Sequence, residues 1–243
     1  MKIGMFDSGI GGLNVLNEFI KKYPNNHYIY YGDTKNIPYG DKTKEELLKL
    51  SKEIINFFEN KKVDLIIIAC GTISSNCFNE LKSITKIPLY NVIDPTINCL
   101  KKLNLDKVLV IATNRTIDSH IFKNNLNNVI ELKTPEFVMM LENNLIDENV
   151  IANYLKDYKD INGLVLGCTH YPLLLDYLKK YLDKKTIIID MGKVLVNEIN
   201  IKNDSDYQVE LYFTKMNKVL ESNINNIIKT KYNLFCEGEV WWY

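Results

Sequence analysis

Arginine is nearly missing from this chain: Arg115 stands alone, and lysine supplies the rest of the 30 basic residues. With asparagine and isoleucine abundant, that bias reads as the codon usage of an AT-rich genome. Net charge is missing too. Thirty basic residues balance 30 acidic ones in 243, so no global field draws in nucleic acid or an anionic membrane, and neither is expected as a partner. No apolar run approaches the ~18–20 residues of a membrane helix. The five cysteines, Cys70, Cys77, Cys99, Cys168 and Cys236, are odd in number and lack Cys-x-x-Cys spacing. That argues against a disulfide framework and a zinc ribbon. His27, His120 and His170 are the only histidines and show no ligand spacing, so no metal is expected. Met1-Lys2-Ile3 runs straight into a strand pattern with no signal peptide. Reduced thiols suit a cytoplasmic protein, which is the expected location.

What is present is a repeated phrase. Asp64-Leu-Ile-Ile-Ile-Ala-Cys70-Gly-Thr72 and Gly163-Leu-Val-Leu-Gly-Cys168-Thr169-His170 are short apolar runs, each ending in a cysteine and then a hydroxyl residue. Such runs read as buried parallel strands. In open α/β sheets, ligands bind at the C-terminal ends of the strands. A lone cysteine after a strand is commonly just a small buried apolar residue; the duplicated setting favours a function. Two thiols facing one substrate supply a proton acceptor on one face and a donor on the other. That is the requirement of racemisation or epimerisation without a cofactor. A helix N-terminus after each cysteine would support a thiolate.

The pattern along the chain is βα, twice over, with largely parallel sheets expected. Strands are expected at 2–6, 27–32, 65–69 and 88–92, and helices at 13–23, 43–60 and 74–83. Thr43 with Glu46 gives the 43–60 helix a capping-box signature. Asp94-Pro95 marks a break and a domain boundary. The pattern then restarts, with helices at 95–102, 117–126, 151–158 and 171–182. Strands are expected at 107–112, 129–132, 164–166 and 186–189. Phe137–Leu141 opens a mixed polar stretch. The tail holds a strand at 209–213 and a helix at 217–229, and is expected to return to the first half. Residues 1–94 plus about 200–243 thus form one α/β domain and 95–199 the other.

Three further segments are rich in polar groups. Asp7-Ser8-Gly-Ile-Gly-Gly12 follows the first strand. It has neither the Gly-x-Gly-x-x-Gly order of a dinucleotide site nor the lysine of a Walker A loop. It reads either as a tight turn with Asp7 capping a helix or as a carboxylate and a hydroxyl beside exposed amides. The loop Asp33–Lys42 places Asp33 and Tyr39 together as candidate substrate contacts. His170 sits two residues from Cys168, where an imidazole can support a thiolate or relay a proton.

Together these pieces resemble the glutamate racemase family, within the aspartate/glutamate racemase superfamily. The matching motifs are Phe6-Asp-Ser-Gly-Ile-Gly-Gly-Leu13, Tyr31-Gly-Asp33 with Pro38-Tyr-Gly40, and Ile68-Ala-Cys-Gly-Thr72. Ala112-Thr-Asn-Arg-Thr-Ile117 and Leu166-Gly-Cys-Thr-His-Tyr-Pro-Leu-Leu174 complete them. A weaker match is Thr134-Pro-Glu-Phe-Val followed by Glu142. The resemblance runs from about Lys2 to about Gly192. It implies two pseudo-symmetric α/β domains with the active site in the cleft between them. The reaction implied is cofactor-free interconversion of L- and D-glutamate for peptidoglycan. Cys70 would take the α-proton from the D-enantiomer and Cys168 from the L-enantiomer. Asp7, Glu142 and His170 would assist proton transfer. Ser8, Pro38, Tyr39, Gly40, Thr72, Thr113, Thr116 and Thr169 match substrate-binding positions. The partner implied is a small amino acid, and a homodimer stays open.

Gly71 departs from the family, which usually has Cys-Asn-Thr where this chain has Cys70-Gly71-Thr72. The missing amide removes one substrate contact. Restoring it with Gly71→Asn is expected to tighten glutamate binding up to about tenfold, roughly 1.4 kcal/mol. The departure keeps a racemase for aspartate or another amino acid in view. A catalytically impaired binding or regulatory protein with this fold is a third reading, opposed by the intact Cys70, Cys168, Asp7 and His170. A Cys-His hydrolase would leave the second thiol unexplained.

Overall fold

A computed structural model of the chain describes residues 1–203, 207–236 and 239–242, the last four as backbone only. Strands β1 (Lys2–Asp7), β2 (His27–Gly32), β3 (Leu65–Ile68) and β4 (Leu89–Asn91) come first. They are followed by β5 (Val108–Ala112), β6 (Val129–Lys133), β7 (Gly163–Leu166) and β8 (Ile187–Asp190). The tail adds β9 (Gln208–Phe213), β10 (Asn233–Cys236) and β11 (Glu239–Trp242).

The first sheet runs β11-β10-β9-β2-β1-β3-β4 and the second β6-β5-β7-β8. Every pairing is parallel except β10 with β11. The first four strands stand in the order β2-β1-β3-β4, and the next four repeat it as β6-β5-β7-β8. In each half the third strand in sequence, β3 or β7, ends two residues before a cysteine. Cys70 and Cys168 therefore occupy equivalent places in two largely parallel sheets, in keeping with the expected pair of pseudo-symmetric α/β domains.

Side-chain alternation along the strands sorts the core into three layers. Ile3 and Met5 of β1, Ile67 of β3, Val108 and Val110 of β5 and Val165 of β7 all face one shared interior between the sheets. Ile66 and Ile68 turn outward onto the helix Lys44–Lys61, where Phe58 lies against Gly4 with no room for a β-carbon. Leu109, Ile111, Leu164 and Leu166 pack on the outer layer of the second half. The strands are buried on both faces, which is why they read as unbroken apolar runs.

Several elements differ from expectation, each for a local reason. Asp94-Pro95 is no break: helix Ile93–Leu103 runs through it, and Pro95 sits in the first turn, where an amide has no partner to lose. The expected 74–83 helix begins earlier and is split at Cys77 into Gly71–Asn76 and Phe78–Ile84. The 117–126 helix is only Asn114–Asp118, capped by the Thr113 side chain. Beyond it, Ser119 and Asn125 spend their side chains on local carbonyls, and His120 turns to a φ of 51°. The 171–182 helix is a chain of short turns, with Leu173 reaching back three residues to the His170 carbonyl across Pro172. Two helices lie where none is expected. Pro135–Glu142 places Pro135 in its first turn, and Met191–Glu198 is capped by Asp190 accepting from Gly192 and Lys193. The Thr43–Glu46 capping box is formed in both directions. No helix among the described residues is long and apolar enough to cross a membrane.

Candidate active site

The C-terminal ends of both central strand sets open onto one cavity of about 390 Å³. Its walls include Ser8, Pro38, Tyr39, Gly40, Cys70, Gly71 and Thr72 from the first half. Thr113, Cys168, Thr169 and His170 come from the second. Both thiols therefore face the same space. Asp7, Glu142 and Thr116 are not in the walls; each lies directly behind a wall residue.

Asp7 ends β1 and is fully buried. Its Oδ2 accepts from the amides of Gly12 at 2.9 Å and Gly9 at 3.3 Å, and the Thr169 hydroxyl bridges both carboxylate oxygens at 3.3–3.4 Å. Asp7 thus acts as turn-former and as cross-half partner at once, so the two readings of its motif merge. Burial raises its pKa, while His170 and the two amides pull the other way. Gly11 is part of the same contact. A β-carbon there would stand 2.3 Å from Thr169 Oγ1 and 2.5 Å from His170 Nδ1, so the halves meet this closely only at a glycine.

Cys70 N-caps the helix Gly71–Asn76. Burial, followed by the charge of Asp7, lifts its thiol well above the ordinary value, against the amides of Ile73 and Thr72. The second thiol has no such helix. Cys168 opens a turn, and the next helical residues are the tight turn Tyr171–Leu174. Its support is the imidazole: Cys168 Sγ lies 3.6 Å from His170 Nδ1. His170 Nε2 meets Glu142 Oε1 at 2.5 Å, from the last residue of the helix Pro135–Glu142. Burial disfavours the imidazolium, yet the bonds to Cys168 and Glu142 outweigh it and raise the His170 pKa well above 6.5. One thiol is therefore backed by a carboxylate and the other by an imidazole–carboxylate pair.

On the far side three hydroxyls, two in the wall and Thr116 behind it, form a triangle across the halves. Thr72 Oγ1 lies 2.9 Å from Thr113 Oγ1, which lies 3.0 Å from Thr116 Oγ1. Tyr39 is held from behind: its hydroxyl donates to Asp33 Oδ2 at 2.6 Å. Asp33, expected beside the substrate, is instead outside the cavity walls and serves Tyr39.

Known proteins show to which family a chain with this fold belongs. The chain matches the Asp/Glu/Hydantoin racemase description over residues 13–199. The chain belongs to that racemase family. It is 37% identical to the glutamate racemase of Aquifex aeolicus over 94% of each chain. Among solved structures, a glutamate racemase isoform from Bacillus anthracis superposes with a TM-score of 0.89 at 27% identity, covering 96% of each chain. The glutamate racemase of Francisella tularensis, solved with D-glutamate, gives 0.85 at 30% identity, covering 96% of this chain and 95% of that one.

As a member of the racemase family, the protein is an amino-acid isomerase, and the cavity has the two-sided character that such chemistry needs. It also has walls that were not among the expected site residues: Pro135, Glu136, Val138, Met139, Met140 and Val150. Five of these six belong to the helix Pro135–Glu142, whose Thr134-Pro135-Glu136 start was the available signal. Gly71 proves tighter than expected. A β-carbon there would stand 2.7 Å from the Gly167 carbonyl oxygen and 3.2 Å from Met191 Cε, so an asparagine does not simply add a contact. Among the described residues, no group of three or more His, Cys, Asp or Glu side chains is placed to hold a metal ion.

Proposed function

We propose that this racemase interconverts L- and D-glutamate through Cys70 and Cys168, supplying D-glutamate for peptidoglycan in the cytoplasm. The observation that carries the reading is the placement of two cysteines at equivalent strand ends of two sheets, lining one cavity. The thiolate on one face takes the Cα proton and becomes a thiol. The thiol on the other face gives its proton to the carbanion and becomes a thiolate, leaving the inverted amino acid. Cys70 serves the D-enantiomer and Cys168 the L-enantiomer. Asp7 is the proton partner on the first side, and His170 with Glu142 on the second. The Cα proton is a very weak acid, so the carbanion needs donors fixed in advance around the carboxylate in a water-poor site. Ser8, Gly71, Thr72, Thr113 and Thr169 fit that role, with Pro38, Tyr39 and Gly40 closing the cavity and Thr116 supporting Thr113.

The division of labour follows a domain split at 1–94 plus 200–243 and 95–199, which includes segments outside the described residues. Movement between these domains admits and releases substrate. A homodimer belongs to the same reading and is checked by sedimentation velocity. The deciding experiment is incubation of each glutamate enantiomer in D₂O with chiral analysis and NMR at Cα. Deuterium entering the product enantiomer from both directions is expected. Absence of inversion with glutamate, alongside inversion of aspartate or another amino acid, would reassign the substrate.

A further inference from the structure

The tail strand β9 lies beside β2 in parallel register, with Gly32 opposite Phe213. The next residues, Asp33 and Thr214, are therefore neighbours where the substrate loop 33–42 leaves the sheet. β9 is firmly held there. Glu210 pairs with His27 of β2 at 2.8 Å and accepts from the Tyr212 hydroxyl at 2.6 Å; the bond to His27 leads in holding its carboxyl down to about 2.

Thr214 spends its hydroxyl completely. It donates to Asp33 Oδ1 at 2.9 Å and accepts from the Lys35 amide at 2.9 Å, and its own amide donates to the Gly32 carbonyl at 3.2 Å. One residue on, Thr34 Oγ1 and the Lys215 backbone exchange bonds at 2.5 and 3.0 Å. Asp33 is 3% exposed and accepts four bonds from three groups: Thr214, the Asn36 side-chain nitrogen shared between both oxygens, and the Tyr39 hydroxyl. Its amide donates to the Asp7 carbonyl at 3.1 Å. Tyr39 then begins the turn Tyr39–Asp41, whose Gly40 sits so close to Thr113 that a β-carbon would come within 2.9 Å of that side chain.

We propose that Thr214, a tail residue remote in sequence from every cavity residue, is a positioning residue for substrate: through Asp33 it sets the orientation of Tyr39 and with it the Pro38–Gly40 wall. The physical reason is the geometry of a buried carboxylate. Asp33 can hold the phenol on Oδ2 only while Oδ1 is held elsewhere, and Thr214 is the anchor that comes from a different part of the sheet. Without it the carboxylate is left to Asn36 and Tyr39, which belong to the same loop and do not tie it to the sheet. The Lys35 amide loses its acceptor at the same time. The effect falls on substrate binding, because neither Thr214 nor Asp33 reaches the reacting atoms.

This inference rests on glutamate as substrate for its kinetic test and is independent of it for a second one. Thr214→Val removes the hydroxyl at constant shape, Thr214→Ser keeps it, and Tyr39→Phe cuts the far end of the path. Thr214→Val is expected to raise KM for glutamate about tenfold, the size of one hydrogen bond to a charged group, with kcat changed less. Thr214→Ser stays near wild type. In the Tyr39→Phe background, Thr214→Val adds little. Equal losses in both backgrounds, or an unchanged KM, would overturn the proposal. Hydrogen exchange over residues 33–42 supplies the reading that needs no turnover. It should quicken in Thr214→Val and not in Thr214→Ser, and unchanged protection overturns the proposal whichever amino acid the enzyme takes. Should the valine variant not fold, Thr214→Ala enters the same cycle. A wild type that inverts no glutamate yet shows the exchange pattern would remove the substrate reading and leave the positioning role intact.

Discussion

The carbonyl oxygen of Gly167 stands 2.7 Å from the place a β-carbon on Gly71 would occupy. Neither backbone has slack. The Gly167 amide donates to the Ile111 carbonyl at 2.8 Å, and a β-carbon on Gly167 would itself come within 2.6 Å of that oxygen. Three stretches of main chain are stacked here: the end of β5, the turn before Cys168 and the turn after Cys70. The two thiol-bearing turns meet through glycine on each side.

Gly71→Ala and Gly71→Asn should therefore push these turns apart. Overpacking of this kind costs about 1–3 kcal/mol. A lower melting temperature and slower racemisation are expected in both variants, in place of the tighter binding that the sequence suggested for asparagine. Thermal denaturation with kcat and KM for glutamate checks this. An asparagine variant that melts like wild type and has a lower KM would show that the turns can part without loss.

Cys70→Ala and Cys168→Ala should each slow racemisation by ~10²–10⁴, the usual contribution of a positioned acid or base. The two enantiomers have equal free energy, so kcat/KM must fall equally in the two directions. Near-wild-type turnover in either variant would remove the two-thiol mechanism.

The His170–Glu142 pair makes stability depend on pH with a definite sign. The folded state raises the His170 pKa well above 6.5, so it favours the protonated ring. That contribution is complete below 6.5 and is lost as pH rises through the folded value. Glu142→Gln removes the carboxylate partner. The stability advantage of wild type over this variant should be largest below 6.5 and shrink as pH rises through the folded value, read by urea denaturation in pH steps. An advantage that grows with pH would contradict the assignment.

The Thr72–Thr113–Thr116 triangle joins the halves through hydroxyls alone. Thr113→Val leaves buried partners short of a bond, at about 1–3 kcal/mol. Thr72→Val should act on the same bond, so the double variant should fall short of the sum by on the order of 1 kcal/mol. Urea denaturation of the four proteins gives the coupling energy. Simple additivity would mean the triangle does not hold the halves together.

The local pattern was legible in the amino-acid order: short apolar strands alternating with helices, the same order twice, and a cysteine just past the third strand of each half. Periodicity and strand length carry that information within a few residues of chain. The amino-acid order also marked the polar turns 7–12, 33–42, 70–72, 113–116 and 168–170 that meet at the cavity. Helix limits were not legible where side chains compete with the backbone, as after Thr113, or where a proline lies inside the first turn, as at Pro95; at Pro135 the same feature hid a short helix altogether. Three features depend on the packed fold: Asp33 faces Thr214 and not the cavity, Glu142 reaches His170, and Gly71 has no room for a side chain. Each is a contact between residues from 28 to 181 positions apart. Such contacts depend on strand register and on how closely two sheets approach, and no periodicity in one segment encodes the position of the other.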